Sequence, residues 1–123
     1  MTTLFIIDDR ESVRNALAQR LSRVPGIHVV GTAGTSQDGI NLVRIMRPDV
    51  ILIELKLADG LGLDALRTIR AENPTTRIIV LTSYLDDFER QVALKLGAER
   101  YLLKHIDSQG LAEMILDQNA APR

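Results

Sequence analysis

The sequence predicts an α/β fold: a five-stranded parallel sheet, doubly wound, with helices on both faces. Three observations predict it. Short apolar runs alternate five times with stretches of helical periodicity. Two of the runs, Val50-Ile51-Leu52-Ile53 and Ile78-Ile79-Val80-Leu81, are continuous rather than alternating, as central parallel strands covered on both faces require. The 123 residues fit one compact domain with a real core.

Each element has its own signal. Leu4-Phe5-Ile6-Ile7 is the first strand, and Val13, Ala16, Leu17, Leu21 and Val24 are spaced as one face of the first helix. Pro25-Gly26 stops that helix before the strand Ile27-His28-Val29-Val30. Ser36 is placed to cap a second helix whose inner face includes Ile40, Val43 and Met46. Pro48-Asp49 introduces the third strand, and Asp59-Gly60 marks the loop to a helix carrying Ala65, Leu66 and Ile69. Asn73-Pro74 ends that helix ahead of the fourth strand, Arg77 to Leu81. Phe88, Val92 and Leu96 mark the fourth helix, closed by Gly97 at C′. Tyr101-Leu102-Leu103 is the fifth strand, and Leu111, Met114 and Ile115 mark the last helix. Residues 1–118 read as one domain, with 119–123 a tail or the start of a linker.

Composition narrows the function. A net charge of −1 gives no field that recommends nucleic acid or an anionic membrane. With no cysteine there is no disulfide framework, thiolate nucleophile or zinc-thiolate site. The start of the chain has no basic n-region or long apolar h-region, and no run is long enough to span a bilayer. The expectation is a cytoplasmic domain that does not itself bind nucleic acid.

Parallel strands put their carboxyl ends at one edge, where ligands of doubly wound sheets bind. The first strand ends in Asp8-Asp9, the third in Glu54, the fourth in Thr82-Ser83 and the fifth in Lys104. Clustered carboxylates repel unless a cation sits among them, and a hard ion such as Mg²⁺ suits oxygen ligands. Carboxylates, metal, hydroxyl and lysine are the parts of phosphoryl transfer. Each has a plainer reading: Asp9 as a helix cap, Thr82-Ser83 as a turn, Lys104 as a solvated end. Glu54 is the least plain, because a charge directly after four apolar residues needs a partner or the mouth of the sheet. A Mg²⁺-dependent phosphohydrolase and a flavodoxin-like nucleotide binder are the alternatives. The first lacks an evident general acid. The second would want a phosphate loop where DDRES stands.

The motifs FIIDD, PDVILIELKLADGLGLD, IIVLTS and GAERYLLK resemble the receiver domains of bacterial two-component response regulators, along nearly the whole chain. The intervals from Glu54, 28 positions to Thr82 and 50 to Lys104, are similar to those of regulators with a helix-turn-helix output domain. The resemblance implies a flavodoxin-like sheet of strand order 2-1-3-4-5. It implies that Asp8 and Asp9 form an acidic Mg²⁺ pocket, with Asp9, Glu54 and the Lys56 carbonyl as ligands and Asp8 acting through water. It makes Thr82 the switch hydroxyl, Tyr101 the switch aromatic and Lys104 the phosphoryl-sensing lysine. It implies a sensor histidine kinase as partner, an effector or DNA-binding output domain in the intact protein, room for a homodimer, and no enzyme activity beyond slow self-phosphorylation chemistry. The signalling face would run through Asp86 to Leu96, Arg100 to Leu103 and Ser108 to Gln118. His105 stands where many members have proline, and neither it nor His28 has a ligand pattern.

The departure is Glu54, where the family has the phosphoacceptor Asp. One extra methylene moves the carboxylate outward by about 1 Å, and a displacement of that size costs roughly 10² in rate. It also carries the oxygens toward the phosphoryl position, nearer Thr82 and Lys104. A phosphoryl group brings about −1.5 to −2 charge and three acceptor oxygens, so a carboxylate mimics it only in part. Three readings stand: a native Glu in a receiver that signals without phosphorylation, an introduced mimic of the active state, or a slow acceptor. The first two are favoured over the third.

Overall fold

The computed structural model describes residues 1–117; the expected tail and Gln118 lie outside them. Ten elements alternate: β1 (Thr2–Ile7), α1 (Glu11–Ser22), β2 (Ile27–Ala33), α2 (Ser36–Met46), β3 (Val50–Ile53), α3 (Gly62–Glu72), β4 (Arg77–Thr82), α4 (Asp87–Lys95), β5 (Arg100–Leu103) and α5 (Ser108–Leu116). All four strand pairings are parallel, in the order β2-β1-β3-β4-β5.

The two-residue period of a strand divides the core between the faces of the sheet. Phe5, Ile7, Ile51, Ile53, Ile78 and Val80 point to one side and pack with Val43, Leu66, Ile69 and Ala93. Leu4, Ile6, Val50, Leu52, Ile79 and Leu81 point to the other, against Leu21, Leu111 and Ile115. Every residue of β3 is buried, because it is hydrogen-bonded on both edges and covered on both faces.

Three local expectations are corrected. Thr35, not Ser36, caps α2: its hydroxyl accepts from Asp38 N–H at 3.1 Å, while Ser36 donates its hydroxyl to Asp59. Met46 is exposed, since the helix ends beside it at Arg47 in the left-handed region (φ 46°) and the turn carries it outward. Phe88 is 75% exposed. It lies in the first turn of α4, and the inner face is formed by Ala93 with half-buried Leu94 and Leu96. Gly97 does close α4 at C′ with φ 111°. A Cβ there would meet the Arg70 side chain at 2.6 Å.

Candidate functional site

The parallel register brings the chemistry-bearing residues to one edge. Ile7, Ile53 and Val80 are aligned across the sheet, so Asp8 and Glu54 emerge side by side, with Thr82 two residues further along β4. Glu54 N–H donates to Ile7 O at 2.9 Å, and Lys104 N–H donates to Thr82 O at 2.8 Å. Asp8, Glu54 and Thr82 are buried at 2%, 4% and 0% exposure. Ionisable groups this deep need partners.

Lys104 supplies the partner for both carboxylates. Its Nζ lies 2.6 Å from Asp8 Oδ2 and 3.2 Å from Glu54 Oε1. These are contacts of charge on charge, since the ammonium meets neither oxygen at hydrogen-bonding angles. The other oxygens are held by main-chain donors: Asp8 Oδ1 accepts from Arg10 N–H at 2.9 Å and Glu54 Oε2 accepts from Lys56 N–H at 3.0 Å. Asp9, next along the chain, is half-buried and takes no part in these ion pairs. It does not cap α1, whose N-cap is Arg10.

A second network lies across β3 and β4. The Thr82 hydroxyl donates to Tyr84 O at 3.0 Å and accepts from Lys56 Nζ at 3.1 Å. The same ammonium pairs with Glu89 Oε1 at 2.8 Å and sits 4.6 Å from the centroid of the Tyr84 ring. The buried Tyr101 hydroxyl donates to Glu89 Oε1 at 2.5 Å and accepts from Asp86 N–H at 3.3 Å. Burial, and then the Glu89 carboxylate, raise the Tyr101 pKa well above the usual tyrosine range, so the phenol is a proton donor at all ordinary pH. The Glu54 carboxylate lies beside Lys104. It does not reach Thr82, whose hydroxyl is taken by Lys56.

Glu89 and the Lys56 side chain are the residues sequence reasoning missed. Asp86-x-x-Glu89 reads as an ordinary capping box, in which the second acid returns to the N-cap N–H. Here Asp86 does accept from Glu89 N–H, at 2.8 Å. The return bond is made through Tyr101, whose hydroxyl stands between Asp86 N–H and the Glu89 carboxylate.

The oxygen donors suit a hard divalent ion in kind. Among the described residues no three His, Cys, Asp or Glu side chains cluster as a metal group; the set expected from the sequence has two direct side-chain carboxylates, Asp9 and Glu54, with the Lys56 carbonyl. The Lys104 ammonium lies where such an ion would neutralise Asp8 and Glu54, and both Glu54 oxygens are engaged. A cavity of about 480 Å³ opens beside Lys104, lined by Arg10, Val13, Leu17, Arg20, Ser83 and His105 among others. A larger one of about 530 Å³, between Met1 and Arg77, lies at the opposite ends of the strands, away from the carboxylates.

Fold and edge together define a small α/β domain with a charged site at the carboxyl ends of its strands. The response regulator receiver domain model matches residues 4–116, and the chain belongs to that family. It is 35% identical over 120 residues to the DNA-binding transcriptional activator DevR/DosR of Mycobacterium tuberculosis, covering 98% of this chain and 55% of that protein. It is 37% identical over 115 residues to the transcriptional regulatory protein LiaR of Bacillus subtilis, covering 94% and 54%. The chain spans about half the length of the curated relatives it matches. Among solved structures, a response regulator from Burkholderia pseudomallei with a phosphorylated aspartic acid, calcium ion and citrate superposes with a TM-score of 0.86 at 28% identity, covering 98% of this chain and 69% of that one. The signal receiver domain of the putative response regulator NarL from Mycobacterium tuberculosis has the same fold, with a TM-score of 0.87 at 23% identity and 94% of each chain covered. The chain is thus the receiver domain of a two-component response regulator. No helix among the described residues is long and apolar enough to cross a membrane.

Proposed function

We propose that this domain receives its input at Glu54 without needing a phosphoryl group there, and passes it to an output domain through the face formed by α4, β5 and α5. The observation that carries the reading is the Lys104 ammonium, 2.6 Å from Asp8 and 3.2 Å from Glu54. The Glu54 carboxylate already stands 3.2 Å from the lysine that would otherwise sense a phosphoryl oxygen. The carboxylate supplies one charge and two oxygens where a phosphoryl group would bring about −1.5 to −2 charge and three oxygens, so the state it supports is a partial mimic.

In this reading Asp8 and Asp9 are the acidic pocket, Thr82 and Tyr101 the switch pair and Lys104 the anion sensor. Mg²⁺ has a role only if Lys104 yields to it, with Asp9, Glu54 and the Lys56 carbonyl as ligands and Asp8 bound through water. The family implies a sensor histidine kinase as partner, and phosphotransfer from it to Glu54 is expected to be slow or absent. A DNA-binding output domain follows in the intact protein, as the descriptions of its relatives suggest. The domain itself acts in the cytoplasm as a signalling module, not an enzyme, and one route of output is a homodimer. The phosphohydrolase and nucleotide-binding alternatives gain no support from family membership.

The test is chemical. After incubation with a small phosphodonor and Mg²⁺, intact-mass measurement should find this chain essentially unmodified. The Glu54→Asp variant should gain one phosphate under the same conditions. Rapid uptake by the chain as it stands would end the proposal.

A further inference from the structure

The two networks at the strand edge are separate in their side chains. One holds Asp8, Glu54 and Lys104; the other holds Thr82, Glu89 and Tyr101. The sheet bond from Lys104 N–H to Thr82 O runs between them, but it belongs to the β4–β5 ladder and leaves the Thr82 hydroxyl untouched. Lys56 belongs to both networks. Its N–H donates to Glu54 Oε2 at 3.0 Å, and its ammonium donates to Thr82 Oγ1 at 3.1 Å and to Glu89 Oε1 at 2.8 Å.

We propose that Lys56 is the positioning residue through which Glu54 sets the orientation of Tyr101. The inference rests on the reading of Glu54 as the input. From main chain to side chain, one residue spans the route from the Glu54 carboxylate to Glu89, and Glu89 accepts the hydrogen bond of the Tyr101 hydroxyl. The loop around Lys56 has little room to absorb a change at Glu54. Its neighbours Leu55 and Leu57 are buried in the core. Gly62 packs so closely that a Cβ would lie 1.9 Å from Leu55 O, and Asp59 ties the loop to Ser36 and to its own Leu61 N–H. With the chain held on both sides, a change in the bond from Lys56 N–H to Glu54 is met at Lys56 itself, by a tilt of its peptide that re-aims the side chain. Thr82 responds with it, because its hydroxyl has already given its proton to Tyr84 O and can only accept.

The test uses Tyr84→Phe as background, which keeps a ring beside the ammonium and leaves Tyr101 as the sole tyrosine. Tyr101 ring resonances are then followed by NMR in a double-mutant cycle of Glu54→Gln and Lys56→Met. Lys56→Met should shift the Tyr101 ring, and Lys56→Arg should restore most of the original signal. Glu54→Gln should move the Tyr101 ring while Lys56 is present and move it several-fold less in the Lys56→Met chain. Amide spectra far from the edge show whether each variant has folded, and Lys56→Arg carries the test if Lys56→Met has not. Equal responses to Glu54→Gln with and without the lysine would overturn the proposal, as would a Tyr101 ring indifferent to Lys56→Met or to Glu54→Gln. Failure of the underlying reading is seen separately, as phosphate uptake at Glu54 in the mass experiment.

Discussion

Lys104 is the residue on which the acidic edge depends, since it is the cation shared by two carboxylates that are almost wholly withdrawn from water. Removing one partner of a buried ion pair leaves an uncompensated charge, and such losses run to about 3–5 kcal/mol. Lys104→Met should lower stability by that order in urea denaturation at neutral pH. A loss under about 1 kcal/mol, the range of exposed pairs, would mean the carboxylates are effectively solvated. The same geometry predicts competition with a metal. In calorimetric titration, Mg²⁺ should bind this chain more weakly than Glu54→Asp, because a shorter carboxylate withdraws from Lys104 and leaves an oxygen free. Equal affinities would show that the ammonium does not stand in the way.

The elements that frame the site differ in how openly the sequence announces them. β3 and β4 were readable because burial on both faces demands unbroken apolar runs, and parallel pairing then delivers Glu54, Thr82 and Lys104 to one edge from distant positions. The start of α4 has the form of an ordinary cap, which conceals the part played by Glu89. Lys56 and Glu89 are 33 positions apart, and Glu89 and Tyr101 a further 12. No periodicity records such pairs, which exist because a loop and a helix N-terminus happen to meet. Phe88 misled for a related reason: its spacing from Val92 and Leu96 is helical, yet the first turn of α4 leaves it in solvent. A prediction belongs to this element. Asp86→Ala removes the side-chain acceptor for Glu89 N–H and should cost about 1 kcal/mol, as N-cap losses commonly do. Thermal unfolding measures it.

On the scale of the whole domain, stability carries a signature of Tyr101. In the unfolded chain its hydroxyl ionises near pH 10. In the fold, burial and then the Glu89 carboxylate keep the proton on to higher pH. The folded state binds the extra proton in that interval, so this group's contribution is complete below about pH 10 and is lost as pH rises above it. Urea denaturation across the alkaline range should show the decline, and Tyr101→Phe should flatten it. The insertion of the Tyr101 hydroxyl into the α4 cap has one more consequence. Withdrawal of the phenol from the interior would at once leave Asp86 N–H and the Glu89 carboxylate without their shared mediator, and bring the end of Lys56 under a different pull. The position of the ring and the hydrogen bonding at the start of α4 are therefore tied through one hydroxyl, and on the proposed reading a protein at this face would meet both changed together.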